Sequence, residues 1–261
     1  MTTATRQIFV PAESGGRAIP YVLDGEGPTV VLLPAAGLDI VTLGTLASIL
    51  VEEDFRVLRV GSRRPAAGVT PTLHDLAQDV VDVMDHVGVT DAWIGGHALG
   101  GTLARIISVD HTDRVDGVIM LAAEGPTAPT AEATAALRTV FTTDDDAEAL
   151  EALPALIGQS ADAVHAWNIV KAARDADVVA MQDAAVASTA STEWTELAAG
   201  VPVLLVAGAE DAVSSPQDAE QLQAAAPDRV SVVRLDGVGH LFPVTHPGET
   251  SWVIEDYLDW D

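Results

Sequence analysis

The stretch Ile94-Gly95-Gly96-His97-Ala98-Leu99-Gly100-Gly101 decides how this chain folds. It follows the apolar run 91–94, which predicts a short buried strand, and it precedes residues 102–107, which predict a helix. Glycines on both sides of Ala98 permit a very tight turn, because they have no Cβ atom to collide with nearby backbone. The stretch therefore predicts a sharp strand-to-helix turn with Ala98 where the helix begins.

The same residues fit the pattern G-x-S-x-G, in which a strained turn exposes a nucleophilic serine at the start of a helix. Here the pattern is filled as Gly96-His97-Ala98-Leu99-Gly100. Ala98 stands where the serine would be, and a methyl group cannot attack a substrate. His97 occupies a variable position of the pattern, and we expect it to pack behind the turn.

Outward from this turn, apolar runs alternate with helical patterns in both directions. The predicted strands are 8–10, 19–23, 30–33, 55–60, 91–94, 115–121, 203–206 and 230–234. Strands that alternate with helices predict an α/β fold, here with a mostly parallel central sheet of about eight strands and helices on both faces.

The alternation stops between residues 126 and 199, where the sequence is alanine-rich, acidic and helical throughout. We predict that residues 126–199 form an inserted helical cap, and that residues 1–125 and 200–261 form the core domain. Apolar spacing predicts four helices in the cap. They are 131–141, 145–157, 161–174 and 178–188.

Composition narrows the classes of partner. The chain has 261 residues, a formal net charge of -26 and no cysteine. Such an acidic surface repels nucleic acid and anionic membranes, so neither is an expected partner. No spacing of histidines and carboxylates indicates a metal site.

The N-terminal residues 1–6 lack an apolar segment of signal-peptide type. We therefore expect a cytoplasmic protein with a small-molecule substrate, and leave open whether it is a monomer or a homodimer.

An acid and a histidine follow the last two predicted strands. In proteins with this turn, the catalytic residues follow the chain order nucleophile, acid, histidine. Asp211 comes after the strand 203–206 and a glycine turn, and His240 lies on a glycine-flanked loop after the strand 230–234. Asp211 would fix the tautomer of His240 by a hydrogen bond. Glu124, which follows the strand 115–121, is a minor alternative to Asp211.

Two backbone amides could form an oxyanion hole, which stabilises negative charge on a reacting carbonyl oxygen. One belongs to Leu99, next to the elbow alanine, and the other to Ala36, on the loop after the strand 30–33. Backbone donors do not depend on the missing serine. The alternative for residues 34–37 is an ordinary turn between strand and helix.

Four cap residues are candidates for lining an apolar substrate pocket. Packing within the cap is an equally good explanation of all four. They are His165, Trp167, Met181 and Trp194.

Nearly the whole chain resembles the α/β-hydrolase superfamily. The segments that carry the resemblance are Gly96–Gly101, Gly208-Ala209-Glu210-Asp211 and Gly239-His240. The resemblance implies an eight-stranded sheet, a cap over the active site, and cofactor-free hydrolysis of an ester, lactone, amide or carbon–carbon bond. The chain departs from the family pattern at Pro34-Ala35, where members often carry His-Gly, and at Gly61–Pro65.

The resemblance favours a hydrolase of small, mostly apolar esters, lactones or related carbonyl compounds. Two explanations of Ala98 stay open. Either a parent serine was replaced, so that this form lacks its nucleophile, or the chain is a natural serine-less member of the superfamily. A serine-less member would activate water through His240 and Asp211, or would bind a small molecule without catalysis.

Overall fold

The structure is a computed structural model. It describes residues 6–10, 17–123, 125–159 and 161–259. The strands are β1 (Gln7–Phe9), β2 (Ile19–Asp24), β3 (Thr29–Leu33), β4 (Arg56–Val60), β5 (Ala92–His97), β6 (Val115–Leu121), β7 (Val203–Gly208) and β8 (Val230–Leu235). The α-helices are α1 (Gly44–Glu52), α2 (Leu73–Val87), α3 (Leu99–Asp110), α4 (Ala131–Thr142), α5 (Asp146–Ala152), α6 (Pro154–Ile157), α7 (Ala163–Ala173), α8 (Ala176–Ser188), α9 (Ser191–Thr195), α10 (Pro216–Ala225), α11 (Phe242–Thr245) and α12 (Pro247–Leu258).

All the strands join one eight-stranded sheet, in the order β1-β2-β4-β3-β5-β6-β7-β8. Strands β1 and β2 run antiparallel to their neighbours, and the pairs from β4 to β8 are parallel. The predicted fold, a mostly parallel eight-stranded α/β sheet with helices on both faces, is confirmed. Because parallel strands end at the same edge, the loops after β3, β5, β7 and β8 meet there.

The central strands are buried because both faces of the sheet are covered. On one face, α2 and α3 pack into an apolar cluster that includes Ile94 and Met120. On the other face, α1 and α12 pack into a cluster that includes Leu121 and Val206. Burial on both faces explains why these strands read as continuous apolar runs rather than as alternating ones.

The segment between β6 and β7 is helical, as its sequence indicates, and contains α4 to α9. The helix predicted over 145–157 is two helices, α5 and α6, because Pro154 begins a new helix and has no N–H to continue the old one. The short helix α9 was not predicted. Whether residues 126–199 are a separate cap stays a prediction.

None of the helices in the described part of the chain is long and apolar enough to cross a membrane.

Candidate active site

The turn between β5 and α3 has the strained geometry of an elbow. Ala98 has φ 49° and ψ -112°, a backbone conformation that residues other than glycine rarely adopt. Its N–H donates to the carbonyl of Leu121 (2.8 Å), which fixes the turn against the end of β6. A Cβ on Gly96 would lie 2.1 Å from the carbonyl carbon of Gly100. A Cβ on Gly100 would lie 2.3 Å from the carbonyl oxygen of Leu33. These contacts explain why both positions are glycine.

Asp211 and His240 meet at the carboxyl ends of β7 and β8. The Nδ1 atom of His240 lies 3.0 Å from Oδ2 of Asp211, and both side chains are buried. The other carboxylate oxygen, Oδ1, accepts the backbone N–H groups of Val213 and Ser214, each at 2.8 Å. Asp211 is thus held on both oxygens. An acceptor at Nδ1 favours the tautomer that leaves Nε2 of His240 free to take a proton.

His97 links the elbow to the loop that carries His240. Its Nε2 lies 2.9 Å from the backbone carbonyl oxygen of His240, so it is the protonated ring nitrogen. The two imidazole rings are 5.1 Å apart, centre to centre. Burial lowers the pKa of His97 to about 3, which keeps this ring neutral. The Nδ1 atom of His97 has no hydrogen-bond partner among the described residues.

The loop that carries Ala36 follows β3 and is held by α8 and the end of α7. The N–H of Gly37 donates to the side-chain oxygen of Gln182, a buried residue of α8, at 2.7 Å. The carbonyl of Gly37 accepts the N–H of Asp175 (2.8 Å), and the N–H of Asp39 donates to Ala173 (2.9 Å). These bonds fix the backbone next to Ala36.

The helical segment between β6 and β7 also contacts the loops of the other two candidate residues. The N–H of Thr130 donates to Ala212, the neighbour of Asp211, at 2.9 Å. The N–H groups on either side of His240 donate to α6, Gly239 to Ile157 (3.1 Å) and Leu241 to Leu156 (3.0 Å). The segment is therefore joined by hydrogen bonds to all three loops.

Ala98 lies in an apolar cluster and is 5% exposed. That cluster contains one of the four predicted pocket residues, Trp167, whose Nε1 donates to Asp146 (2.7 Å). Met181 and Trp194 pack in the cluster around α2 and α3 instead. His165 is exposed on α7. The structure thus brings Trp167, but not the other three, into the cluster of the elbow.

The alternative acid, Glu124, lies outside the described residues. Among the residues that are described, no group of three or more histidines and carboxylates could hold a metal ion.

Sequence reasoning missed two hydrogen bonds that support the site. The contact of His97 with the His240 loop joins positions 143 residues apart, and that of Gln182 with Gly37 joins positions 145 apart. The G-x-S-x-G pattern marked the position of His97 but not its partner. Nothing in the local sequence marks Gln182.

An eight-stranded sheet with a strained strand-to-helix turn and an Asp-His pair at its carboxyl edge defines the class of α/β-hydrolase folds. The chain belongs to the alpha/beta hydrolase family, whose family model matches residues 30–251.

Solved structures with the same fold include two enzymes. A thermophilic esterase from Thermogutta terrifontis is 21% identical, with a TM-score of 0.74 over 98% of this chain and 99% of that one. The enol-lactonase from Burkholderia xenovorans LB400 is 22% identical, with a TM-score of 0.76 over 94% and 98%. At sequence identities of 21% and 22%, these two comparisons show that the fold is shared and no more than that.

A shorter match is to the protein named "Putative carbamate hydrolase RutD" from Caulobacter segnis. It is 34% identical over 64 residues, which are 23% of this chain and 24% of that protein. The match therefore spans about a quarter of the length of this relative.

Proposed function

We propose that this protein hydrolyses a small, mostly apolar ester, lactone or related carbonyl compound, with water rather than a side chain as the nucleophile. One observation carries the proposal. A buried His240–Asp211 pair, with its carboxylate held on both oxygens, stands at the same sheet edge as an elbow that has no hydroxyl group.

His240 is the general base. Its Nδ1–H is directed to Asp211, and Nε2 contacts none of the described residues through a hydrogen bond. Nε2 takes a proton from water while the water oxygen forms a bond to the substrate carbonyl carbon. As the tetrahedral species collapses, the bond to the leaving oxygen breaks, and that oxygen receives the proton from Nε2. A carboxylic acid and an alcohol result. A positioned base of this kind contributes about 10²–10⁴-fold to the rate.

The backbone amides of Ala36 and Leu99 stabilise the negative charge that develops on the carbonyl oxygen. Leu99 is the first residue of α3, where a helical N–H has no acceptor within the helix. Ala36 adjoins Gly37, whose own N–H is held by Gln182. Donors fixed in advance cost no reorganisation during the reaction.

Residues 126–199 act as the cap that excludes water and shapes the pocket, with Trp167 as its main apolar contact. Their hydrogen bonds to the loops of Ala36, Asp211 and His240 support this role. The cluster that holds Ala98 and Trp167 is apolar, which favours an apolar acyl group as the part of the substrate nearest the elbow.

The names of the similar proteins suggest which substrates to try. The assay compares aryl esters, lactones and aryl carbamates, because the matched proteins are named an esterase, an enol-lactonase and a carbamate hydrolase. Wild type and the variants His240→Ala and Asp211→Asn are measured. We expect His240→Ala to lower kcat by about 10²–10³-fold, since it removes the base. A matched control is His111→Ala, at the far end of α3, which should leave kcat unchanged.

A second candidate function is binding of a small molecule without catalysis. The burial of Ala98 among apolar side chains favours it, because that environment suits a ligand better than a reacting water. Equal turnover by wild type and His240→Ala, with retained binding of a substrate from the panel, would make this candidate the better one.

A further inference from the structure

A cavity lies outside the candidate active site. It has a volume of about 370 Å³, and its walls are formed by β6, β7, α3, α9 and α10. Ala98 and His240 do not line it. Apolar side chains such as Met120, Leu205 and Leu222 form much of the wall. A cavity of this size and character suits a small organic molecule.

Arg105 is a charged group in this wall that forms no ion pair with an acidic side chain of the described residues. It lies on α3 and is 5% exposed. Its Nη2 donates to the backbone carbonyl of Thr195, and its Nε donates to that of Glu196 at 3.3 Å. Nη1 donates to none of the described residues, and no described carboxylate lies within ion-pair distance. Burial lowers the pKa of Arg105 to about 10, so the guanidinium stays charged at neutral pH.

Buried arginines are normally paired with an anion, because an uncompensated charge in an apolar interior is costly. Carbonyl groups satisfy hydrogen bonds but do not balance the charge. Asp218 lines the same cavity, yet its carboxylate accepts the N–H and hydroxyl of Thr127 at 3.0 and 2.7 Å. Its described partner is thus Thr127, whereas Arg105 donates to the carbonyls of Thr195 and Glu196. The charge of Arg105 therefore lacks a counter-ion in the described part of the chain.

We propose that this cavity binds a small monocarboxylic acid, with the carboxylate on Arg105 and the hydrocarbon part against Met120, Leu205 and Leu222. A guanidinium binds a carboxylate with two parallel hydrogen bonds when two of its N–H groups are free, and with one when other acceptors occupy the rest. The carboxylate of Asp218 in the same cavity disfavours a second negative charge on the ligand. Monocarboxylates should therefore bind more tightly than dicarboxylates of equal length.

Calorimetric titration of the full chain with hexanoate, octanoate and phenylacetate tests the proposal. The matched probes are hexanamide, octanamide and the dicarboxylate octanedioate. We expect millimolar or tighter binding of the monocarboxylates, and at least tenfold weaker binding of the amides. Arg105→Gln should weaken carboxylate binding about 10- to 100-fold, as expected when a charged hydrogen-bond partner is removed. The control is Arg114→Gln, because Arg114 also donates to two backbone carbonyls but lies outside this cavity.

Three further variants keep the test decisive if Arg105→Gln fails to fold. Leu222→Trp fills the cavity and should abolish binding, whereas His240→Ala should leave it unchanged. Loss of binding in His240→Ala would place the ligand in the candidate active site and overturn the proposal. Glu124, between the lining residues Ala123 and Gly125, is varied to Gln. Binding of the monocarboxylates by Glu124→Gln but not by wild type would also overturn the proposal. So would equal binding of acids and amides by wild type.

Discussion

The imidazole of His97 hydrogen-bonds the backbone carbonyl of His240 at 2.9 Å, which joins the elbow directly to the loop of the candidate base. The bond uses the one proton that a neutral imidazole carries. A neutral His97 therefore holds the loop only in the tautomer that carries the proton on Nε2. His97 therefore positions the loop of His240 from within the elbow, through a hydrogen bond to the backbone.

The pH dependence of stability should reflect this burial. The pKa of His97 is lowered to about 3, whereas an unfolded histidine has a pKa of 6.5. The unfolded state therefore binds the proton first. The stability that His97 contributes is full above pH 6.5 and is lost as the pH falls towards 3. The loss amounts to about 1.4 kcal/mol per pH unit. Urea unfolding of wild type and His97→Asn across this range should show a shallower slope for the variant, and equal slopes would contradict the assignment.

His74 should have the opposite effect. Its hydrogen bond to Asp110 (2.6 Å) raises its pKa above 6.5, and a second bond to Glu193 (2.9 Å) acts in the same direction. Because the folded state binds the proton more tightly, this stability is fully present below pH 6.5 and is lost as the pH rises through the raised pKa. His74→Gln should destabilise the protein more at about pH 6 than at about pH 9. His165→Gln, exposed on α7, is the control and should change stability little at either pH.

Restoring a serine at the elbow tests the role of the missing hydroxyl. If water is the nucleophile, Ala98→Ser should change turnover by less than about tenfold, because the water mechanism uses no side-chain group of residue 98. A rise on the order of 10⁴–10⁶, with an acyl adduct on residue 98 in the mass spectrum, would contradict the water mechanism. It would show instead that a serine nucleophile had been replaced. Adding His240→Ala to the serine variant should then remove the gain.

The elbow should not tolerate larger residues at its glycines. A Cβ on Gly100 would lie 2.3 Å from the carbonyl oxygen of Leu33, and backbone cannot move aside as a flexible side chain can. Gly100→Ala should therefore destabilise the protein by about 3 kcal/mol or more. Gly248→Ala is the matched control, because a Cβ there meets nothing within 4 Å. Thermal unfolding of both variants measures the difference, and a similar Tm for the two would show that the turn is looser than described.

Gln182 should affect catalysis without touching substrate. Gln182→Leu leaves the N–H of Gly37 without its acceptor, which should cost about 1–3 kcal/mol in the free energy of unfolding. Ala36 loses its fixed neighbour, so kcat should fall more than KM rises, as expected for an oxyanion donor. The control is Gln78→Leu on α2, since the side chain of Gln78 donates to Asp82 on the exposed surface, away from the loop of Ala36. An unchanged kcat in a folded Gln182→Leu protein would separate this loop from the reaction.

The sequence by itself determined the sheet, the elbow and the order of the candidate residues. Apolar runs buried on both faces specify parallel strands, and Gly96 and Gly100 are needed because any Cβ there meets backbone. Asp211 and His240 were found because parallel strands bring their carboxyl ends to one edge. The break at Pro154 was also present in the sequence, since proline cannot continue a helix.

Only the tertiary structure decided which distant residues support or adjoin the site. The bonds of His97 to the His240 loop and of Gln182 to Gly37 depend on how helices pack over the sheet, which periodicity does not encode. Packing also placed Met181 and Trp194 in a different cluster from Trp167. The packing of the helices also places Arg105 beside a cavity. There its guanidinium donates to backbone carbonyls and has no carboxylate partner among the described residues. Burial and charge balance are set by contacts across the whole fold, so no local pattern of residues can reveal them.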